Sequence, residues 1–145
     1  MLEQKAQQIR QRVIDRKFGL LASSLSCVEI LTAIYYGYDK PFKCILSKGH
    51  AVATLYAILE DKGILKWTDD LPTHPTRGTP GIEVSTGSLG NGLGIACGMA
   101  LVNKETIFVV MGDGELDEGR FSDLPRRMFL GTAALISSSK FLKPT

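Results

Sequence analysis

Cysteine is scarce in this chain. Cys27, Cys44 and Cys97 are odd in number, far apart and form no CxxC pair. That excludes a structural zinc site and a disulfide framework, and leaves reduced thiols in a cytoplasmic protein as the expectation. Charge of one sign is lacking too. The formal net charge is +2 and the basic residues form no stripe, which gives no argument for a nucleic-acid or membrane partner. No apolar run approaches the ~20 residues of a membrane span. Met1 to Gln8 is polar and has no signal-peptide core. Only two histidines occur, His50 and His74, so any proton chemistry near neutral pH has few candidates.

What remains is an ordinary globular composition, with 44% apolar and 22% charged residues in 145. That is one domain by length. Leu2, Ala6, Ile9 and Val13 recur at helical spacing and predict a helix over 2–17. Gly19 to Ser24 breaks the pattern. Ser26 and Glu29 have capping-box spacing and predict a helix over 26–36, ending near Gly37. Asp39 to Lys43 reads as a polar connection, Cys44 to Leu46 as a short buried strand, and Ser47 to His50 as a turn. Ala51 to Lys62 reads as a helix stopped by Gly63 at its C′ position. Residues 66–87, with Pro72, Pro75 and Pro80, form a long irregular stretch. The glycine loop Gly87–Gly94 leads into a helix through Ile95 to Val102, whose small residues Ala96, Gly98 and Ala100 predict close packing on a sheet. A buried strand over 106–111 follows. Helices alternating with short apolar strands predict an α/β fold with a parallel sheet flanked by helices.

Three features carry chemistry. The strand ends directly in Gly112, Asp113 and Gly114, an acid between two glycines. A carboxylate at the carboxyl end of a parallel strand, where backbone can approach a ligand, suits Mg²⁺ carrying a diphosphate. The other acids of the run, through Glu118, read as surface groups or partner contacts. The glycine loop could present backbone N–H groups to a phosphate. It is not a dinucleotide fingerprint, because Gly90, Gly92 and Gly94 place the third glycine one residue early for G-x-G-x-x-G. His50 and His74 both sit in turns beside small or rigid residues, and could donate to phosphate or move protons if they converge. Lys48 in the first of those turns reads more readily as a solvated lysine.

Together, Leu25–Leu31 (LSCVEIL), Ile45–His50 (ILSKGH), Thr79–Gly92 (TPGIEVSTGSLGNG) and Gly112–Gly119 (GDGELDEG) resemble the N-terminal, diphosphate-binding part of transketolases. The compact linker at Asp39–Lys43 and the short 66–87 loop resemble the two-subunit transketolases, whose diphosphate half is a separate chain. The resemblance implies thiamine diphosphate and Mg²⁺ as cofactors. It implies Asp113 as a metal ligand, Gly112 and Gly114 as backbone against the diphosphate, and Gly87 and Leu89 on the aminopyrimidine side. His50 and His74 match histidines near cofactor and substrate, and Glu118 matches an acid at the dimer interface, all three counted with the catalytic set. The implied reaction moves a two-carbon ketol unit from a ketose to an aldose phosphate, and the implied partner is a pyrimidine-domain subunit.

The chain departs from the pattern in three places. Leu20 follows Gly19 where the family has histidine. After Gly119 the resemblance stops, and the second Mg²⁺ ligand, an Asn expected near Lys143 to Thr145, is absent. The pyrimidine domain, which supplies the activating glutamate, is not in the chain. The expectation is therefore a diphosphate-binding domain over 1–119, incomplete at its C-terminal end, and a divergent tail over 120–145 left by a frame shift or truncation. The strand at 107–111 would keep an open edge, and the isolated chain would be inactive. A non-catalytic binding partner is the alternative.

Overall fold

The computed structural model describes residues 1–102, 105–116 and 133–137. Its elements in chain order are α1 (Leu2–Arg16), α2 (Leu21–Leu25), α3 (Val28–Gly37), β1 (Phe42–Leu46), a 3₁₀ turn (Gly49–Ala51), α4 (Val52–Asp61), α5 (Asn91–Val102), β2 (Thr106–Met111), α6 (Asp113–Leu116) and β3 (Ala133–Ser137). The strands form one parallel sheet in the order β1-β2-β3, with Cys44 opposite Phe108 and Val109 opposite Leu135. This is the expected α/β fold with helices flanking a parallel sheet.

Strand alternation divides the core. Cys44, Leu46, Phe108 and Val110 face the body formed by α1, α3 and α4. Ile45, Ile107, Val109 and Met111 face α5, where Leu93, Ala96 and Cys97 cover them. The body is the larger layer. α1 buries Ala6, Ile9 and Val13 at the predicted spacing, and every residue of α4 from Val52 to Leu59 is buried. Phe18, Tyr56 and Trp67 pack edge to face with ring centroids 5.8–6.1 Å apart. Gly63 ends α4 at φ 69°, with Ile64 N–H donating to the Leu59 carbonyl at 2.9 Å, the C′ role read from the sequence.

Several expectations are corrected. Leu21–Leu25 is a short helix where the sequence pattern breaks; five residues are too few to show a period. The Ser26–Glu29 capping box does not form. Ser26 Oγ donates to the Ser23 carbonyl at 2.8 Å, Glu29 pairs with Arg10, and Cys27 stands at the cap. β1 starts at Phe42 rather than Cys44, because Phe42 packs edge to face on Tyr35, Tyr38 and Phe108. Ala96 and Ala100 pack on the sheet as expected, but Gly98 does not, and the closest approach of α5 is at Gly92. A Cβ on Gly92 would lie 2.4 Å from Ser47 Oγ, whereas one on Gly98 would meet nothing within 4 Å. Finally, β2 has no open edge, since β3 pairs along it.

Candidate functional site

Because β1 and β2 are parallel, the residues leaving their carboxyl ends meet on one edge of the sheet. β1 opens into Ser47, Lys48 and His50, and β2 into Gly112, Asp113 and Gly114. Backbone bonds join the two exits: the N–H groups of Ser47 and Lys48 both donate to the Val110 carbonyl, at 2.9 and 3.3 Å. The long connection over 62–90 brings a third segment to this edge. Although it holds no helix or strand, it is anchored. Tyr56 OH donates to the Pro72 carbonyl at 2.9 Å, Thr86 N–H to the Pro75 carbonyl at 3.1 Å, and Thr86 Oγ1 to the Leu46 carbonyl at 2.6 Å.

That anchoring makes the two histidine turns converge. A Cβ on Gly49 would stand 3.1 Å from both His74 Cδ2 and the Thr86 carbonyl oxygen, and one on Gly87 would stand 3.2 Å from the same histidine carbon. Glycine at 49 and 87 is thus what lets the His50 turn, the His74 turn and the glycine loop approach each other. His74 is exposed and His50 half-buried. Burial holds His50 below the ordinary histidine range; the positive charge of Lys48 and the nearby His74 lower it further, and Glu115 acts in the opposite direction.

Lys48 is not simply solvated. It is half-buried, its Nζ donates to Ser26 Oγ at 3.0 Å, and its stem covers Gly112, where a Cβ would meet Lys48 Cδ at 3.4 Å. Asp113 and Gly114 are exposed at the strand end, and a Cβ on Gly114 would meet nothing within 4 Å. Leu89 is exposed in the glycine loop. Gly112 is buried. Glu118 lies outside the described residues. His50, His74, Gly87, Gly112, Asp113 and Gly114 therefore share one edge of the fold.

The acids after Asp113 were expected as surface groups or partner contacts, and for Glu115 the structure corrects this. Glu115 is 2% exposed. Its Oε1 accepts from Ser47 Oγ at 2.6 Å and from Gly90 N–H at 3.1 Å, and its Oε2 accepts from Gly112 N–H at 3.0 Å. Three donors satisfy a buried carboxylate, the condition for burying one at all. The sequence held a signal for part of this. Gly112 precedes α6 and Glu115 is its third residue, and a glutamate there reaches back to the N-cap N–H. The partners Ser47 and Gly90 have no local signal.

The thiols take no part. Cys27, Cys44 and Cys97 are free and buried. Burial raises all three, Cys44 to about 12, which leaves them protonated and unreactive. Among the described residues, no three His, Cys, Asp or Glu side chains cluster as a metal site, and no helix is long and apolar enough to cross a membrane.

Comparison with known proteins gives consistent matches. Residues 35–126 match the family model described as transketolase, thiamine diphosphate binding domain. A protein of Phocaeicola vulgatus named as one of the subunits of apulose-4-phosphate transketolase is 38% identical over 81% of this chain and 52% of its own length. The 6-deoxy-6-sulfo-D-fructose transketolase subunit SqwG of a Clostridium species is 36% identical over 82% of this chain and 54% of its own length. This chain thus spans about half the length of these two relatives. Among solved structures, the transketolase from Leishmania mexicana superposes with a TM-score of 0.66 at 27% identity, over 82% of this chain and 24% of that one.

Proposed function

This chain belongs to the transketolase family as a thiamine diphosphate-binding domain, and from that premise we propose that it forms the diphosphate-holding part of a split, Mg²⁺-dependent enzyme. In this reading the enzyme transfers a two-carbon ketol unit from a ketose to an aldose phosphate. The observation that carries the reading is the shared edge. Parallel strands bring an outward carboxylate, Asp113, together with a lysine and two histidines around glycine turns.

The residues present fit such a cofactor. Asp113 offers one exposed carboxylate, and Mg²⁺ that carries phosphates needs only one or two protein carboxylates. Open space at Gly114 lets backbone come up to the diphosphate. The Gly112 N–H is already taken by Glu115, so Gly112 would contribute close approach rather than a donor. Lys48 would set positive charge, and His50 and His74 N–H donors, around the phosphates and the sugar. His50, held low by burial and Lys48, is mainly neutral near pH 7 and could pass a proton at an imidazole nitrogen. Gly87 and Leu89 would border the aminopyrimidine. When bound, thiamine diphosphate supplies the electron sink for breaking and forming the carbon–carbon bond.

A pyrimidine-domain subunit would complete the site, with Glu118 at the joint. The relatives named as subunits support this division, and the chain alone would be inactive. The cofactor chemistry would lie within residues 1–119, and the buried reduced thiols suit a cytoplasmic setting. A non-catalytic binding role is the second reading. It rests on Leu20, 61% exposed, where the resemblance calls for histidine. The test is calorimetric titration of the full chain with thiamine diphosphate, with and without Mg²⁺. We expect binding that requires Mg²⁺ and is lost in Asp113→Ala; no binding in Mg²⁺ would refute the reading.

A further inference from the structure

We propose that Glu115 is a positioning residue for the cofactor edge. Without touching the cofactor, its carboxylate ties the β1 exit, the glycine loop and the β2 exit into the one arrangement that can receive a diphosphate. The inference rests on the function proposed above, and adds to it a residue outside the expected ligand set.

The geometry is specific to a carboxylate. Its three donors come from three separate stretches of chain: Ser47 Oγ, Gly90 N–H and Gly112 N–H. An acceptor-only group can receive all three. A glutamine at 115 would turn an NH₂ toward at least one donor, leaving a buried N–H or O–H facing another donor. Ser47 is fixed from its other side as well, because a Cβ on Gly92 would sit 2.4 Å from its Oγ and 2.5 Å from its Cβ. Ser47 therefore lies between α5 and Glu115 with no room to find another partner. The same bonds spend the amides of Gly90 and Gly112 inside the protein. Their task is to hold the turns, while Asp113 and Gly114, exposed beside them, stay free to face a ligand. Groups that support a metal site from behind its ligands typically change metal affinity ~10–100-fold when altered.

The test compares the wild-type chain with Glu115→Gln and Ser47→Ala. The readouts are calorimetry with thiamine diphosphate and Mg²⁺, circular dichroism, and amide hydrogen exchange resolved at Gly90 and Gly112. Glu115→Gln should keep its helical spectrum, bind the cofactor at least ~10-fold more weakly, and exchange both amides faster. Ser47→Ala keeps the carboxylate and both amide bonds, and should weaken binding by only a few fold without speeding exchange at Gly112. Cofactor affinity in a folded Glu115→Gln within about twofold of wild type would overturn the proposal. If Glu115→Gln does not fold, Ser47→Ala decides: weakened binding supports the proposal and unchanged binding overturns it. Failure of the wild-type chain to bind the cofactor would instead refute the function on which the proposal rests.

Discussion

The helical body and the carboxyl-terminal edge of the sheet are a few residues apart along each strand, yet different interactions hold them. The body is apolar and redundant. α1, α3 and α4 close over Cys44, Leu46, Phe108 and Val110, with Phe18, Tyr56 and Trp67 filling one end. Lys5 and Arg12 on α1 clamp Asp61 of α4 from outside, each at 3.1 Å. Burial alone would raise the Asp61 carboxyl, but the Tyr36 hydroxyl and the charges of Lys5 and Arg12 outweigh it and hold it below the usual range. The edge is polar: one buried carboxylate, one serine and a few glycines join the backbone bonds and the Thr86 anchor in setting the position of three turns. A body of this kind tolerates change by spreading it. At the edge, backbone bonds to Val110 and the Thr86 anchor hold the turns as well, but Glu115 is the group that bonds all three at once.

The largest expected effect falls on the body. Trp67→Ala removes a 2% exposed ring from the aromatic group and should cost ~3–5 kcal/mol in urea unfolding, with the affinity of the remaining folded protein for cofactor kept. A cost below ~1 kcal/mol, or a specific loss of binding, would break the distinction. Next comes Gly92→Ala, where the two regions meet. The added methyl collides with Ser47, so we expect ~1–3 kcal/mol of strain together with weaker cofactor binding, since Ser47 cannot move without leaving Glu115. Stability loss with binding unchanged would show that Ser47 does not set the edge. The smallest effect is a titration. His50 should show an NMR midpoint below the ordinary ~6.5, because burial and then Lys48 disfavour its charged form. Since the folded state prefers neutral His50, acidification through the ordinary histidine range works slightly against the fold here. Lys48→Met should raise the midpoint; no rise would mean that Lys48 and His50 do not share the edge.

The same division explains what could be read from the sequence. The body's helices were legible because burial on one side leaves a period: Ala6, Ile9 and Val13 mark α1, and Gly63 marks the end of α4. The strand-end position of Asp113 was legible from the apolar run before it. Contacts between distant segments were not. Ser26 has capping spacing, but its hydroxyl is occupied by the Ser23 carbonyl and Lys48. Glu115 looks like its acidic neighbours until Ser47 and Gly90, 68 and 25 residues away in sequence, are brought to it. The convergence of His50 and His74 depends likewise on Thr86 reaching the end of β1.

The central claim is that the edge carries the cofactor chemistry separately from the body's stability, and Asp113→Ala tests it most directly. Exposed to solvent, Asp113 should be replaceable within the ~0.5 kcal/mol usual for surface changes. Measured on one sample, unfolding should then match wild type while Mg²⁺-dependent binding of thiamine diphosphate is lost. Wild-type affinity in Asp113→Ala, or binding by the unaltered chain that ignores Mg²⁺, would contradict the account.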